Sequence, residues 1–214
     1  MKKLGILITV LGILLLAAAA QLSSQTDATK QPITLAQIDK PAPDFALSDV
    51  DGKQHKLSDY KGKIVVLEWV NFECPFVKKH YSSGNMQSLQ GNYTKKDVVW
   101  LSICSSAPGK QGNFPIPDLK KHMSEVKAVP TAYLIDSVGT VGKMYGAKTT
   151  PNMYVVDSKG TLRYAGAIDD TPSTDKDDIP KATNYVRNAL ESLMAGKEIA
   201  VKTSTPYGCG VKYQ

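Results

Sequence analysis

The chain has 214 residues, 42% hydrophobic and 21% charged, a balance that excludes a disordered polymer and allows one ordinary core with tails. Its formal charge is +6, modest for the length and interspersed with acidic residues, so no nucleic-acid partner is implied. Its three cysteines, Cys74, Cys104 and Cys209, leave one thiol over if a single disulfide forms.

Residues 1–20 begin with Lys2 and Lys3, run apolar through residues 4–16 and end in four alanines. This is the pattern of a cleavable secretory signal peptide, and it implies export to a periplasmic or extracellular space where disulfides persist. The alternative is an uncleaved membrane anchor, because residues 4–20 are only just long enough to span a hydrocarbon core. Residues 21–40, rich in Ser, Thr and Gln, read as a flexible linker.

The folded domain is expected over residues 41–196. Apolar stretches on either side of Asp51-Gly52 predict a hairpin. Residues 64–70 form a near-continuous apolar run with β-branched members, as in a central strand covered on both faces. Cys74 and Pro75 follow, and Pro at a first helical turn predicts a helix through Val77 and Tyr81 toward Leu89, bent at Gly84. A second buried strand is expected over residues 98–103, ending at Cys104, and a helix near residues 118–127. Residues 153–157 and 161–165 form a hairpin around Ser158-Lys159-Gly160. The last helix carries Ile179, Ala182, Val186, Ala189, Leu190, Leu193 and Met194 on one face, closed by Gly196. A tail, residues 197–214, carries Cys209 between two glycines. Strands alternating with helices imply an α/β sheet.

A cysteine between a central strand and a helix N-terminus sits where free N–H groups and the helix dipole favour a thiolate, which is the reactive form. Cys74 is therefore the candidate nucleophile. Glu68, inside the strand between Leu67 and Trp69, is a candidate buried acid whose raised pKa would suit proton transfer to or from a sulfur. Cys209, in Pro206-Tyr207-Gly208-Cys209-Gly210, can fold back and resolve an oxidised Cys74, or join a structural or intermolecular disulfide. Cys104 is a thiol partner or a buried hydrophobe. Lys78, Lys79 and His80 read as a solvated helix face that could also steady a thiolate. Asp169-Asp170 and residues 175–178 read as a solvated acidic loop, without the ligand spacing of a metal site.

Ala42-Pro43-Asp44-Phe45, Asp51-Gly52, Leu57-Ser58-Asp59 and Lys61-Gly62-Lys63, followed by the strand and Cys74-Pro75-Phe76-Val77, resemble the AhpC/TSA redoxins, in particular their peroxiredoxin-like branch. Thr149-Thr150-Pro151 through Asp157 resembles the cis-proline segment of thioredoxin folds. The resemblance implies a thioredoxin-like fold, with a central mixed β-sheet flanked by helices. It also implies a cis Pro151, with the backbone of Thr150 beside Cys74 to pair with a bound substrate. Two departures stand out. Val77 occupies the place of a thioredoxin's second cysteine, and Leu67 and Asn71 stand where typical peroxiredoxins carry Pro and Thr or Ser. Arg163 is a candidate for the arginine of a peroxidase.

The expected function is thiol-based oxidoreduction, without a cofactor. Cys74 would attack a hydroperoxide or a protein or small-molecule disulfide, and a thiol reductant would restore it. The alternatives are a non-catalytic binding module of the same fold and an exported metal chaperone, whose paired cysteines this chain lacks. A membrane partner is implied only if the N-terminal segment is uncleaved.

Overall fold

The computed structural model describes residues 34–214; the expected signal segment and most of the expected linker lie outside them. The packed structure nevertheless starts before Pro41. Ala36 N–H donates to the Met144 carbonyl at 3.0 Å, and Asp39 N–H to that of Leu162 at 2.8 Å.

The hairpin predicted at Asp51-Gly52 is β1 (Ala46–Asp49) against β2 (Gln54–Lys56). A 3-10 turn, Leu57–Tyr60, leads to the central strand β3 (Val65–Trp69). Helix α1 (Pro75–Ser82) starts with Pro75 in its first turn and Cys74 as its N-cap residue. The single bent helix expected here is two: Gly84, at φ +77°, ends the first and caps α2 (Asn85–Thr94). Next come β4 (Val99–Cys104), α3 (Ile116–Glu125), β5 (Ala132–Ile135) and α4 (Thr140–Tyr145). The remaining elements are β6 (Thr149–Thr150), β7 (Asn152–Val156), β8 (Leu162–Gly166), α5 (Tyr185–Met194) and β9 (Cys209–Gly210). Helix α5 begins later than its apolar spacing predicts, because Ile179 lies in a separate 3-10 turn, Lys176–Lys181. The Asn184 side chain then accepts from Arg187 N–H and fixes the true start.

Seven strands form one sheet in the order β2-β1-β5-β4-β3-β7-β8. Strands β3, β4 and β5 run parallel, and β7 pairs antiparallel with β3, so the sheet is mixed. Alternation along β3 divides the core. Val65, Leu67 and Trp69 join the cluster containing Val141 and Tyr145 of α4, whereas Val66 and Val70 join the one containing residues of α1, α2, α3 and α5.

Glu68 points to the latter side and is fully buried. A carboxylate there is costly unless its oxygens are paired. Tyr81 Oη donates to one oxygen at 3.0 Å; Gln90 Nε2, Trp100 Nε1 and Ser102 Oγ donate to the other at 3.1, 2.8 and 2.9 Å. Burial still pushes its pKa above the ordinary 4.5, against these hydrogen bonds. A raised carboxyl pKa makes the folded state favour the protonated form. That contribution is complete below the unfolded value and is lost as pH rises through the folded one. The amide of Glu68→Gln can keep three donors on Oε1 and donate to the Tyr81 oxygen. The variant is therefore expected to gain stability relative to wild type as pH rises above the unfolded carboxylate range of about pH 4 in urea unfolding. A difference that is flat or moves the other way would refute the buried-acid assignment.

Candidate functional site

Cys74 sits just beyond the carboxyl end of β3, with its N–H donating to the Asn71 carbonyl at 3.0 Å. Asn71, in the position of the peroxiredoxin Thr or Ser, turns its side chain toward the loop. Its Oδ1 accepts from Glu73 N–H at 2.9 Å, and its Nδ2 donates to the Gln111 carbonyl at 3.4 Å. It thus shapes the turn and makes no hydrogen bond to the sulfur.

The Cys74 side chain is fully covered. Its Sγ donates to the Thr150 carbonyl at 3.0 Å and accepts from Cys209 N–H at 3.4 Å. The Thr150–Pro151 peptide is cis. Thr150 lies opposite Cys209, and Thr149 opposite Gly210, in the antiparallel pair β6-β9. The structure therefore brings Cys74, Thr150, Pro151 and Cys209 together. Gly208 permits the approach: its φ is +136°, and a Cβ there would lie 2.1 Å from the Thr150 carbonyl oxygen. Beyond β9 the tail is held by Val211 N–H on the Lys148 carbonyl at 3.0 Å and Tyr213 Oη on that of Ala147 at 2.8 Å.

The two sulfurs are electrostatically unequal. Burial pushes the Cys74 thiol up. Hydrogen bonds from the Cys209 side chain, the N–H groups of Val77 and Cys209 and the Thr150 side chain more than offset it, so its pKa falls below the ordinary 9.0. Cys209 is pushed up to about 11 by partial burial, by its hydrogen bond to Cys74 and by the Cys74 charge. Cys74 is thus the more acidic of the two thiols.

Cys104 ends β4, buried, with Sγ donating to the Gly112 carbonyl at 3.3 Å, and burial raises its pKa. Glu68 has no hydrogen bond to Cys74. Arg163 does not reach the site. It lies on β8 toward the end where Val156 faces Leu162, with ion pairs to Asp39, Asp157 and Glu198 at 3.3, 3.8 and 3.0 Å.

Of the three α1 residues expected to be solvated, Lys78 is exposed and the other two are not. Lys79 and His80 are buried, and so is Asp169 of the expected acidic loop. Lys79 Nζ donates to the Thr171 carbonyl at 3.0 Å, and Asn85 Nδ2 meets His80 Nδ1 at 2.9 Å. With that amide N–H on Nδ1, the ring proton sits on Nε2 and faces Tyr207 Oη at 3.3 Å; Tyr207 Oη in turn donates to Asp169. Burial and the Lys79 charge lower the His80 pKa to about 3, so the ring is neutral at physiological pH. Tyr207 carried a sequence signal, its place two residues before Cys209; Asp169 carried none within its acidic run. Among the described residues, no group of three or more His, Cys, Asp or Glu side chains is placed to hold a metal ion.

Residues 38–165 match the AhpC/TSA family. The thiol-disulfide oxidoreductase ResA of Geobacillus thermodenitrificans is 31% identical over 149 residues, covering 64% of this chain and 83% of that protein. The chain belongs to the AhpC/TSA family. A crystal structure of an uncharacterized conserved protein from Geobacillus kaustophilus superposes with a TM-score of 0.70 at 28% identity, covering 84% of this chain and 94% of that one. The thioredoxin domain of a thiol-disulfide oxidoreductase from Bacteroides vulgatus gives a TM-score of 0.50 at 19% identity, covering 68% and 96%. The fold is thioredoxin-like, and on these relatives the chain is a thiol oxidoreductase.

Two variants probe the local electrostatics and fit. Cys209→Ala removes a donor to the thiolate, so the ultraviolet absorbance of the Cys74 thiolate should titrate at higher pH than in wild type. An unchanged or lower midpoint would contradict the stated cause. Gly208→Ala should undock β9 and speed alkylation of Cys74 by on the order of tenfold or more, the scale of forcing a side chain into left-handed backbone. Wild-type protection of the thiol in that variant would show that the close approach does not matter.

Proposed function

We propose that this protein is an exported member of the peroxiredoxin-like branch that performs thiol–disulfide exchange through a two-cysteine relay, with Cys74 attacking and Cys209 resolving. The observation that carries the reading is the Cys209 backbone N–H, 3.4 Å from the Cys74 sulfur, on a strand paired with Thr150. The Cys74 thiolate attacks one sulfur of a substrate disulfide, forming a mixed disulfide and expelling the other sulfur as thiolate. Cys209 then loses its proton and attacks the Cys74 sulfur, which releases the substrate as a dithiol. The protein is left with a Cys74–Cys209 disulfide, and an external thiol reductant returns both electrons. Thr150 and Pro151 border the sulfur and are the proposed substrate-contacting backbone. Glu68, on the same side of the sheet, is proposed to take up the proton of the resolving thiol through an intervening group. Substituting Glu68→Gln should then slow resolution without slowing the first attack. Export rests on the signal-like composition of residues 1–20.

Hydroperoxide reduction is a second reading, favoured by the complete coverage of Cys74, which a small oxidant penetrates more readily than a folded partner. There the thiolate takes one peroxide oxygen to become a sulfenic acid and the alcohol departs. Cys209 then condenses with the sulfenic acid, releasing water.

Cys74→Ser is expected to abolish turnover of either substrate, and retained turnover would eliminate the assignment. Mass mapping after exposure to hydrogen peroxide, or separately to an oxidised dithiol peptide, separates the readings. Peptide-driven formation of the Cys74–Cys209 disulfide supports exchange, and sulfenylation of Cys74 by peroxide alone supports a peroxidase. Inertness toward both would leave a binding module.

A further inference from the structure

The tail that carries Cys209 is tied down at several points, and among the described residues it is Tyr207 that makes the side-chain hydrogen bond and ring contacts to the helix that Cys74 opens. Tyr207 packs its ring against Phe76 of α1, with centroids 5.7 Å apart, and the Lys79 ammonium lies 6.0 Å from the ring centroid. Its hydroxyl donates to the buried Asp169 carboxylate and accepts from His80 Nε2, also on α1, at 3.3 Å. The buried groups need this phenol as much as the tail does, since Asp169 and His80 would otherwise face each other across 3.9 Å with unfilled hydrogen-bonding capacity. Upstream, Ser204 is fixed instead to Tyr164 and Ala167, and downstream Tyr213 is fixed to Ala147.

We propose that Tyr207 is a positioning residue that sets how often the Cys209 sulfur lies within bonding reach of Cys74, by tying the tail to α1 through Asp169 and His80. The proposal rests on the Cys74–Cys209 relay. Gly208, between the two, contributes backbone freedom and no side-chain contact of its own, so the direction of the chain into Cys209 is set by the residue before it. Tyr207 itself takes no part in bond making. It raises the effective concentration of one thiol at another, as a preorganised segment does.

The test is equilibration of wild type, Tyr207→Phe and Tyr213→Phe in mixtures of reduced and oxidised glutathione, followed by acid quench and mass mapping. Cys74 attacks oxidised glutathione, giving a mixed disulfide and one glutathione thiolate. Cys209 then displaces the second, so two protein thiols are oxidised as one glutathione disulfide is reduced. Tyr207→Phe should lower the equilibrium constant for the internal disulfide by about tenfold, the scale of one buried hydrogen bond to a charged group. The Cys74–glutathione adduct should accumulate in its place. Tyr213→Phe loses a hydrogen bond from the same tail away from α1 and should stay within about twofold of wild type, which a merely structural role for both tyrosines would not produce. In a Cys209→Ser background, Tyr207→Phe should not slow Cys74 glutathionylation, because a loosened tail uncovers the sulfur and removes no attacking group. Equal equilibrium constants in wild type and Tyr207→Phe, or equal losses in both tyrosine variants, would overturn the proposal while sparing the relay. Absence of a Cys74–Cys209 disulfide in wild type would overturn both.

Discussion

Opposite Thr150 on a two-residue antiparallel pair sits Cys209, and Thr150 also offers its carbonyl to the Cys74 thiol. That single residue therefore joins three distant stretches of chain: the carboxyl end of β3, the start of β7 and the C-terminal tail. The seven-stranded sheet sets the first two beside each other, because β3 and β7 are neighbours with Trp69 opposite Asn152. The third arrives only because a glycine precedes Cys209 and lets its backbone press on Thr150. Without that contact Cys74 would stand alone at a helix N-terminus, and Val77, where thioredoxins carry a second sulfur, offers no replacement.

The chemistry follows from unequal surroundings of equal groups. Cys74 gathers N–H donors from its own helix and from the tail, whereas Cys209 gains burial and a negative neighbour. One thiol is thereby made more acidic than the other, the order that the proposed relay requires. Glu68 shows the same logic deeper in the core, where four donors moderate the penalty of burial without cancelling it.

Much of the scaffold was legible because its signals are local. The apolar run of β3, the Asp51-Gly52 turn and Pro75 after Cys74 each act within a few residues. Strand β5 was not legible, since Ala132–Ile135 is four residues long and shows too little of a period-two pattern to register. The misreading of Lys79 and His80 has a different cause. On their own helix they look like a polar stripe, and what covers them, Thr171, Ser173 and Tyr207, comes from 92 to 127 positions away. Arg163 failed as a site residue for a related reason: its place in the chain gives no hint that three carboxylates hold it at the other end of the sheet. The nearness of Cys209 to Cys74 was open to inference from the glycines flanking it, but the buried Asp169 and His80 that receive Tyr207 were not.

The separation of the two cysteines, 135 positions, gives their pairing a reach that a local dithiol lacks. A bond between cysteines three residues apart closes a tiny ring and leaves the unfolded chain almost as free as before. A bond from Cys74 to Cys209 would instead fasten most of the domain into one loop and remove on the order of 5 kcal/mol of chain entropy from the unfolded state. By thermodynamic reciprocity, whatever oxidation adds to the resistance of the fold, the fold returns as resistance of the bond to reduction. The electron count of this protein and the cohesion of its whole architecture are then two readings of a single equilibrium.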